Sequence, residues 1–171
     1  EGEPDLAWRL NAEAPEVMAL EAKSLGALLV HYSTDYVFDG SGSAARKESD
    51  VTGPLSVYGR TKLEGEQRIA ATHCRHLIFR TSWVYAARGG NFAKTMLRLA
   101  LERDRLRVIA DQIGAPTGAD LLADVTAHTI RATQNRPELA GLYHLAAGGE
   151  TNWHAYARHV VGGAMARGQS L

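Results

Sequence analysis

The sequence predicts an α/β fold of the doubly wound type, in which helices cover both faces of a parallel sheet. Strand-like runs alternate with helical runs of about 10 to 15 residues along the chain. The first strand-like run, residues 27–32, is apolar almost throughout, as suits a strand buried on both faces. The chain has 171 residues, 45% of them hydrophobic, which is enough to form one core. We therefore expect a single domain over residues 1–171.

The first half of the chain is predicted to contain two helices, one strand and a long loop. Residues 12–23 have apolar side chains at helical spacing, and Gly26 marks the end of this helix. The strand 27–32 follows directly. Residues 39–53 are rich in Gly, Ser and Thr and show no periodicity, which indicates a loop. Helical periodicity returns over residues 56–72 and predicts the second helix.

The alternation continues through the second half of the chain. Further strands are predicted at residues 76–81, 106–109 and 142–145. Further helices are predicted at residues 91–103, 120–133 and 152–165, the last of them capped by Thr151. Because crossover helices join parallel strands, this order again favours a parallel sheet.

Charge and composition exclude several classes of function. The 19 Lys and Arg residues balance 19 Asp and Glu residues, so no positive excess exists to hold a nucleic acid or an anionic membrane surface. The single cysteine, Cys74, excludes an intramolecular disulfide and a multi-cysteine metal site, and it fits a reducing compartment. No apolar run approaches the roughly 18 residues that span a bilayer. We therefore expect a cytoplasmic protein without nucleic-acid or membrane partners.

One part of a dinucleotide-binding domain is not found in this sequence. Such a domain normally opens with a strand, a glycine-rich turn and a helix. The glycine pairs at 89–90, 148–149 and 162–163 do not stand between a strand and a helix in that pattern. We therefore expect the chain to be the later, truncated part of such a domain and to bind a dinucleotide weakly by itself.

Tyr58 and Lys62 form the first candidate pair for catalysis. They lie four residues apart at the start of the predicted helix 56–72, so their side chains share one face. A nearby ammonium favours the phenolate and would lower the tyrosine pKa from about 10 toward the neutral range. The alternative is an exposed pair without a function, because this spacing arises by chance in about one such chain in seven.

Hydroxyl groups at the end of the predicted strand 27–32 offer a partner for the phenol. Ligands of doubly wound sheets bind at the carboxyl ends of strands, where Ser33 and Thr34 lie. A hydroxyl there could hydrogen-bond both a substrate carbonyl oxygen and Tyr58, or it could simply cap a turn. Trp83 follows the next strand at the same edge, where its indole would stack on a flat ligand or close the core.

Five motifs in order make a resemblance to a known family plain. They read STDYVFDG at 33–40, SVYGRTKLEGE at 56–66, RTSWVY at 80–85, DQIGAPT at 111–117 and GLYH at 141–144. Together they resemble the dTDP-4-dehydrorhamnose reductases, which are extended short-chain dehydrogenases/reductases with a Rossmann-like fold. The resemblance extends from about residue 11 to about residue 156, and five motifs are far more specific than one Tyr-Lys spacing.

The resemblance implies an oxidoreductase that transfers a hydride from NADPH or NADH to the C4 ketone of dTDP-4-dehydro-L-rhamnose. It implies nucleotide-sugar-binding segments within 111–156, and it leaves a Mg²⁺ ion and a homodimer open. Asn11 matches the family's helix asparagine, which supports the lysine through water. The catalytic residues it implies are Thr34, Tyr58 and Lys62, with Tyr58 as proton donor. The cofactor contacts it implies are Tyr32, Tyr58 and Lys62, and the sugar contacts are Thr34, Asp35 and Trp83.

Two other functions remain open on this fold. A nucleotide-sugar epimerase or dehydratase would use the same Tyr and Lys, but similar dehydratases have an acidic residue where this chain has Tyr36. A noncatalytic regulatory subunit of the same fold would act by contacting a partner enzyme. The chain also departs from the family at Asn152, where a serine before Trp153 is usual.

Overall fold

The computed structural model describes residues 2–170, which form two compact units. The first unit contains the residues up to Thr81 together with Val125–Leu145. The second contains Ser82–Asp124 and the residues from Ala146 onward. The single-domain organisation expected from the sequence stays a prediction.

A parallel three-stranded sheet forms the centre of the first unit. Its strands are β1 (Leu29–Thr34), β2 (His76–Thr81) and β6 (Gly141–His144), in the order β1-β2-β6. Ser33 of β1 is level with Arg80 of β2, and Arg80 is level with His144 of β6. All three strands therefore end at the same edge of the sheet, as a doubly wound fold requires.

Helices pack on this sheet as the sequence predicts. The chain begins with α1 (Pro4–Trp8), a π-helical turn (Arg9–Glu13) and α2 (Ala14–Ser24). Then come a 3₁₀ turn (Asp35–Val37) and α3 (Val57–Ala71), and later α5 (Ala119–Asn135) and a second 3₁₀ turn (Pro137–Leu139). The Ser33 side chain hydrogen-bonds to Glu66 of α3, whereas that of the preceding residue, Tyr32, hydrogen-bonds to Thr126 of α5. Since successive strand residues point to opposite faces, α3 and α5 lie on opposite sides of β1.

The hydrophobic core of the first unit lies between the sheet and its helices on the α3 side. Four buried residues form it: Ala19, Ile69, Cys74 and Ile78. Leu29 and Leu142 pack against this cluster from the two outer strands. The core thus joins α2 and α3 to the strands, and it holds α3 at a fixed height on β1.

The second unit combines two helices with four very short strands. Its helices are α4 (Phe92–Glu102) and α6 (Trp153–Met165). Its strands are β3 (Val84–Tyr85), β4 (Ile113–Gly114), β5 (Thr117–Gly118) and β7 (Thr151–Asn152). β3 pairs with β5 in parallel, and β4 pairs with β7 antiparallel.

The structure confirms most of the predicted elements and corrects three of them. The predicted strand 106–109 is wrong, because the backbone bond described there is a single one, from His154 N to Ile109 O, and a strand needs a ladder. The last helix is capped by Asn152, whose side chain accepts from Ala155 N at 2.8 Å. Thr151, the predicted cap, pairs with Gly114 in a strand.

The first strand also differs from its prediction. It begins two residues later and ends two residues later, because Ala27 N still bonds back to α2 while Ser33 and Thr34 pair with β2. It is not buried on both faces, since the side chain of Tyr32 is 41% exposed. Within residues 2–170, no helix is both long enough and apolar enough to cross a membrane.

Candidate active site

The start of α3 places Tyr58 and Lys62 one helical turn apart. Ser56 caps the helix, since its side chain accepts from Gly59 N at 3.0 Å. A Cβ atom at Gly59 would overlap the carbonyl oxygen of Tyr36, so glycine allows the helix start to approach the turn after β1. The local sequence therefore brings the Tyr-Lys face of α3 against the end of β1.

Thr34 lies at that end of β1 and contacts the phenol. A hydrogen bond from its side chain lowers the pKa of Tyr58. The hydroxyl oxygen lies 3.1 Å from Asp35 Oδ1 and accepts from Tyr36 N at 3.2 Å. The structure thus brings together the strand-end hydroxyl and the tyrosine that the sequence singles out, and the hydroxyl also caps a turn.

Lys62 is buried and anchored on β1. Its ammonium group donates to the carbonyl oxygen of Tyr32 at 2.6 Å and to Nε2 of His31 at 3.1 Å, and the residue is 8% exposed. Burial lowers the pKa of Lys62 below its ordinary value, and the negative charge of Glu66 partly opposes this shift. The ammonium of Lys62 is therefore held inside the fold by two acceptors on β1.

The pKa of Tyr58 differs from the sequence expectation. Partial burial raises the pKa above its ordinary value, Asp35 raises it further, and the hydrogen bond from Thr34 lowers it. The expected lowering by Lys62 is not found, because the ammonium of Lys62 is directed at Tyr32 and His31. In this structure Tyr58 is a protonated phenol, 45% exposed, held by a neighbouring hydroxyl.

A buried ion pair supports the site between the sheet and α3. The guanidinium of Arg80 donates to both carboxylate oxygens of Glu66, at distances from 2.6 to 3.2 Å, and both side chains are 5% exposed. Ser33 donates to the same carboxylate. Since Ser33 precedes Thr34 and Glu66 lies one turn after Lys62, the Ser33–Glu66 bond ties the end of β1 to α3, and the Arg80–Glu66 pair ties β2 to the same helix.

Asn11 lies in the π-helical turn and reaches α3 as well. Its side-chain amide donates to the Thr61 hydroxyl at 3.1 Å, and that hydroxyl donates to the carbonyl oxygen of Tyr58 at 3.0 Å. A Cβ atom at Gly65 would overlap the carbonyl oxygen of Asn11, so the two helices touch backbone to backbone here. Asn11 therefore supports the backbone that carries Tyr58.

Trp83 lies in the second unit, within a stack of aromatic rings. Its indole stacks on Trp153 with 3.6 Å between ring centroids, and the ring of Phe92 lies 4.4 Å from that of Trp153. On the backbone, Trp83 has a φ angle of 44°, an uncommon conformation for a bulky residue. A Cβ atom at Gly114 would lie 2.5 Å from the indole, so glycine is needed beside it. The neighbouring segment 111–117 contributes Gln112, which accepts from the indole N–H of Trp153.

Two contributors were missed at the level of sequence. Both residues, His31 and Glu66, lie in predicted elements. Their partners lie on other elements: His31 of β1 contacts Lys62 of α3, and Glu66 of α3 pairs with Arg80 of β2. The one sign for Glu66 in the sequence is its place at the end of the motif SVYGRTKLEGE. The described part of the chain contains no cluster of three His, Cys, Asp or Glu side chains that could hold a metal ion.

Known proteins resemble this chain over its whole length. A family model described as "RmlD substrate binding domain" matches residues 1–171. The dTDP-4-dehydrorhamnose reductase of Salmonella typhimurium strain LT2 is 60% identical over 171 residues, and that of Shigella flexneri is 58% identical over 171 residues. Each match covers 100% of this chain and 57% of the relative, so the chain spans little more than half of their length.

A solved structure agrees with these relatives. The crystal structure of a dTDP-4-dehydrorhamnose reductase from Bacillus anthracis in complex with NADP matches with a TM-score of 0.88 and 38% identity. The match covers 96% of this chain and 57% of that one. The similarity includes the three-stranded parallel sheet with its helices, an α/β Rossmann-like arrangement.

Proposed function

The chain belongs to the RmlD substrate binding domain family, and on that premise we propose that it is part of an NAD(P)H-dependent dTDP-4-dehydrorhamnose reductase. The reaction is reduction of the C4 ketone of dTDP-4-dehydro-L-rhamnose to the alcohol of dTDP-L-rhamnose. The observation that carries the proposal is the close approach of the start of α3, which bears Tyr58 and Lys62, to the end of β1: Gly59 meets the Tyr36 carbonyl, and Lys62 donates to Tyr32 O at 2.6 Å. The relatives with 60% and 58% identity have this name.

Tyr58 is the proton donor in this proposal. Its phenol is protonated at neutral pH and half-exposed, so a ketone oxygen can reach it. Thr34 orients the phenol through the hydrogen bond that lowers the pKa of Tyr58, and Asp35 lies next to Thr34, where its carboxylate can accept from a sugar hydroxyl. When bound, the reduced nicotinamide supplies the hydride. Tyr58 supplies the proton that completes the alcohol, and solvent restores the phenol.

Lys62 and Tyr32 fit a nicotinamide cofactor. Lys62 uses two of the three donor positions of its ammonium on Tyr32 O and His31, which leaves one for a ribose hydroxyl. The Tyr32 side chain is 41% exposed on the opposite face of β1 from this ammonium, and its hydroxyl hydrogen-bonds to Thr126. The Bacillus anthracis relative was solved with NADP, which favours NADPH over NADH here. Trp83 is the proposed sugar contact in the second unit.

The cytoplasm is the proposed compartment. Cys74 is a free thiol in the described chain, and it is buried in the hydrophobic core of the first unit. A free thiol in this position fits a reducing environment.

Turnover with the keto-sugar tests the proposed function. The full-length protein is incubated with dTDP-4-dehydro-L-rhamnose and NADPH, or NADH in parallel, and both cofactor oxidation and dTDP-L-rhamnose are measured. We expect one cofactor oxidised for each sugar reduced. An epimerase or dehydratase would convert the sugar without net cofactor oxidation, and a regulatory subunit would convert nothing, so either result contradicts the proposal.

A further inference from the structure

His31 contacts the buried ammonium of Lys62, and the proposed reaction gives it no role. It lies in the middle of β1, two residues before Ser33, on the side of the strand that faces α3. Its Nε2 atom is 3.1 Å from Lys62 Nζ. The residue level with it on β2 is Ile78, a fully apolar core residue. The polar contact of His31 is thus directed at Lys62 alone among the described hydrogen bonds.

The chemistry of the two groups determines the direction of this bond. A protonated lysine has only donors, so the imidazole must accept through the lone pair of Nε2. His31 is then neutral, with its proton on Nδ1. Together with the carbonyl oxygen of Tyr32 at 2.6 Å, the imidazole fixes two of the three N–H directions of Lys62.

We propose that His31 is a positioning residue, which holds the Lys62 ammonium in its working orientation through a neutral imidazole acceptor. The proposal rests on the proposed function only in taking Lys62 as part of the active site. The third N–H direction of Lys62 then becomes the one offered to a ligand. Without His31, the ammonium would rotate about its remaining bond to Tyr32 O, and that direction would no longer be defined.

The charged surroundings of His31 agree with a neutral ring. On α3 it faces Lys62, with Glu66 one turn further, and on β2 the nearest charge is Arg80, which Glu66 neutralises. Burial and, to a smaller extent, the charge of Lys62 lower the pKa of His31 from 6.5 to about 4. At neutral pH the ring therefore keeps its lone pair for Lys62.

Histidine NMR tests this contact without any substrate. The imidazole nitrogens of the full-length protein are followed by pH titration, and His31 is assigned by the loss of its signals in His31→Gln. We expect a neutral ring with the proton on Nδ1, and a pKa that rises toward 6.5 in Lys62→Met because a positive charge is removed. A proton on Nε2, or a pKa unaffected by Lys62→Met, would overturn the proposal.

Kinetics of three variants test the positioning role. His31→Leu removes the acceptor at similar size, and we expect kcat to fall about ten- to a hundredfold. His31→Gln places an amide oxygen near the former Nε2 and should restore most of kcat. The matched control is His128→Leu on α5, an exposed position where the same change should leave kcat unaltered.

The two tests separate the possible failures. An unchanged kcat in His31→Leu overturns the positioning role, and so does a His31→Gln variant as slow as His31→Leu, because packing rather than the acceptor is then responsible. If His31→Leu does not fold, the His31 tautomer in the wild-type protein and the His31 titration in Lys62→Met still decide whether His31 accepts from Lys62. A wild-type protein that does not reduce the keto-sugar defeats the proposed function, while NMR continues to report on the contact.

Discussion

At the scale of single residues, Thr34 controls the phenol of Tyr58 more directly than Lys62 does. The Thr34 hydrogen bond lowers the pKa of Tyr58, against the rise that partial burial causes. Lys62, in contrast, is directed at two acceptors on β1. The phenol and the ammonium thus share one helix face but have separate partners.

Removing the phenol hydroxyl tests the proposal that Tyr58 is the proton donor. Tyr58→Phe keeps the ring, so we expect substrate KM to change little while kcat falls about 10² to 10⁴-fold. Tyr143→Phe is the matched control, because Tyr143 lies on β6 and its hydroxyl donates to Leu139 O of the preceding 3₁₀ turn at 2.8 Å. That control should lose about 1 kcal/mol of stability and keep its kcat. A Tyr58→Phe enzyme with half the wild-type activity would rule out the assignment.

Removing the Thr34 hydroxyl tests its hold on the phenol. Thr34→Val has the same shape, and we expect kcat to fall about 10²-fold, because the phenol loses the hydroxyl that orients it. The pKa of Tyr58 should rise, since the Thr34 bond lowers it, so the alkaline limb of the kcat profile should move upward. Thr95→Val in α4, where the hydroxyl donates to a helix carbonyl, serves as control. An alkaline limb that stays in place would argue against the Thr34-Tyr58 bond.

At the scale of elements, the contact between the π-helical turn and α3 helps to position α3, the helix that contains Tyr58 and Lys62. The absence of a side chain at Gly65 lets the backbone of α3 meet the carbonyl of Asn11. A π-helical turn often marks a functional site. Here the turn is linked to the backbone of Tyr58 through Thr61, whose hydroxyl accepts from Asn11 and donates to Tyr58 O.

Two glycine substitutions test this contact against ordinary helix propensity. Gly65→Ala should destabilise the protein by about 3 kcal/mol, because the new methyl group meets backbone rather than a movable side chain. Gly162→Ala in α6 has no atom within 4 Å of the new Cβ and should stabilise by about 0.5 to 1 kcal/mol. Urea unfolding of both variants gives the comparison. Equal effects would show that the helices do not touch at Gly65.

The aromatic stack of the second unit is the other element that carries a proposed contact. Trp83→Ala should abolish the circular dichroism couplet of the stacked Trp83 and Trp153 indoles and lower stability by about 3 kcal/mol. If Trp83 also contacts the sugar, KM for the keto-sugar rises while KM for the cofactor stays constant. Trp8→Ala on α1, where the ring packs under Arg68, is the control. A uniform loss of both affinities would assign Trp83 to the core alone.

At the scale of the whole molecule, the sequence predicts the larger elements and not the contacts between them. The strand β2 agrees with its prediction at both ends, since an apolar run there is bounded by turns and paired on both sides. Two-residue strands such as β3 have no period to detect. Thr34, Tyr58 and Lys62 could be found from spacing and strand ends. His31 could not, because nothing in the chain near residue 31 indicates that residue 62 will lie against it.

Acid should destabilise the molecule earlier than its carboxylates alone would. His31 has a pKa near 6.5 when unfolded and about 4 when folded, so between these values the unfolded chain binds more protons. Its contribution, at most about 3 kcal/mol, is complete above pH 6.5 and is lost as the pH falls toward 4. The lowered pKa of Glu48 acts in the same direction at lower pH. Urea unfolding between pH 7.5 and 4.5 measures the slope, which His31→Gln should reduce.

The alternation of side chains along β1 has a consequence for how this strand tolerates insertions and deletions. The side chains of His31 and Ser33 hydrogen-bond to α3, while that of Tyr32 between them hydrogen-bonds to α5. Deleting or inserting one residue within β1 would exchange these two sets, so that the imidazole leaves Lys62 and the phenol of Tyr32 enters the apolar core. A length change of two residues would leave each side chain on its original face of the sheet and would alter only the position at which the strand ends. In a library of length variants, β1 should therefore accept even changes more readily than odd ones.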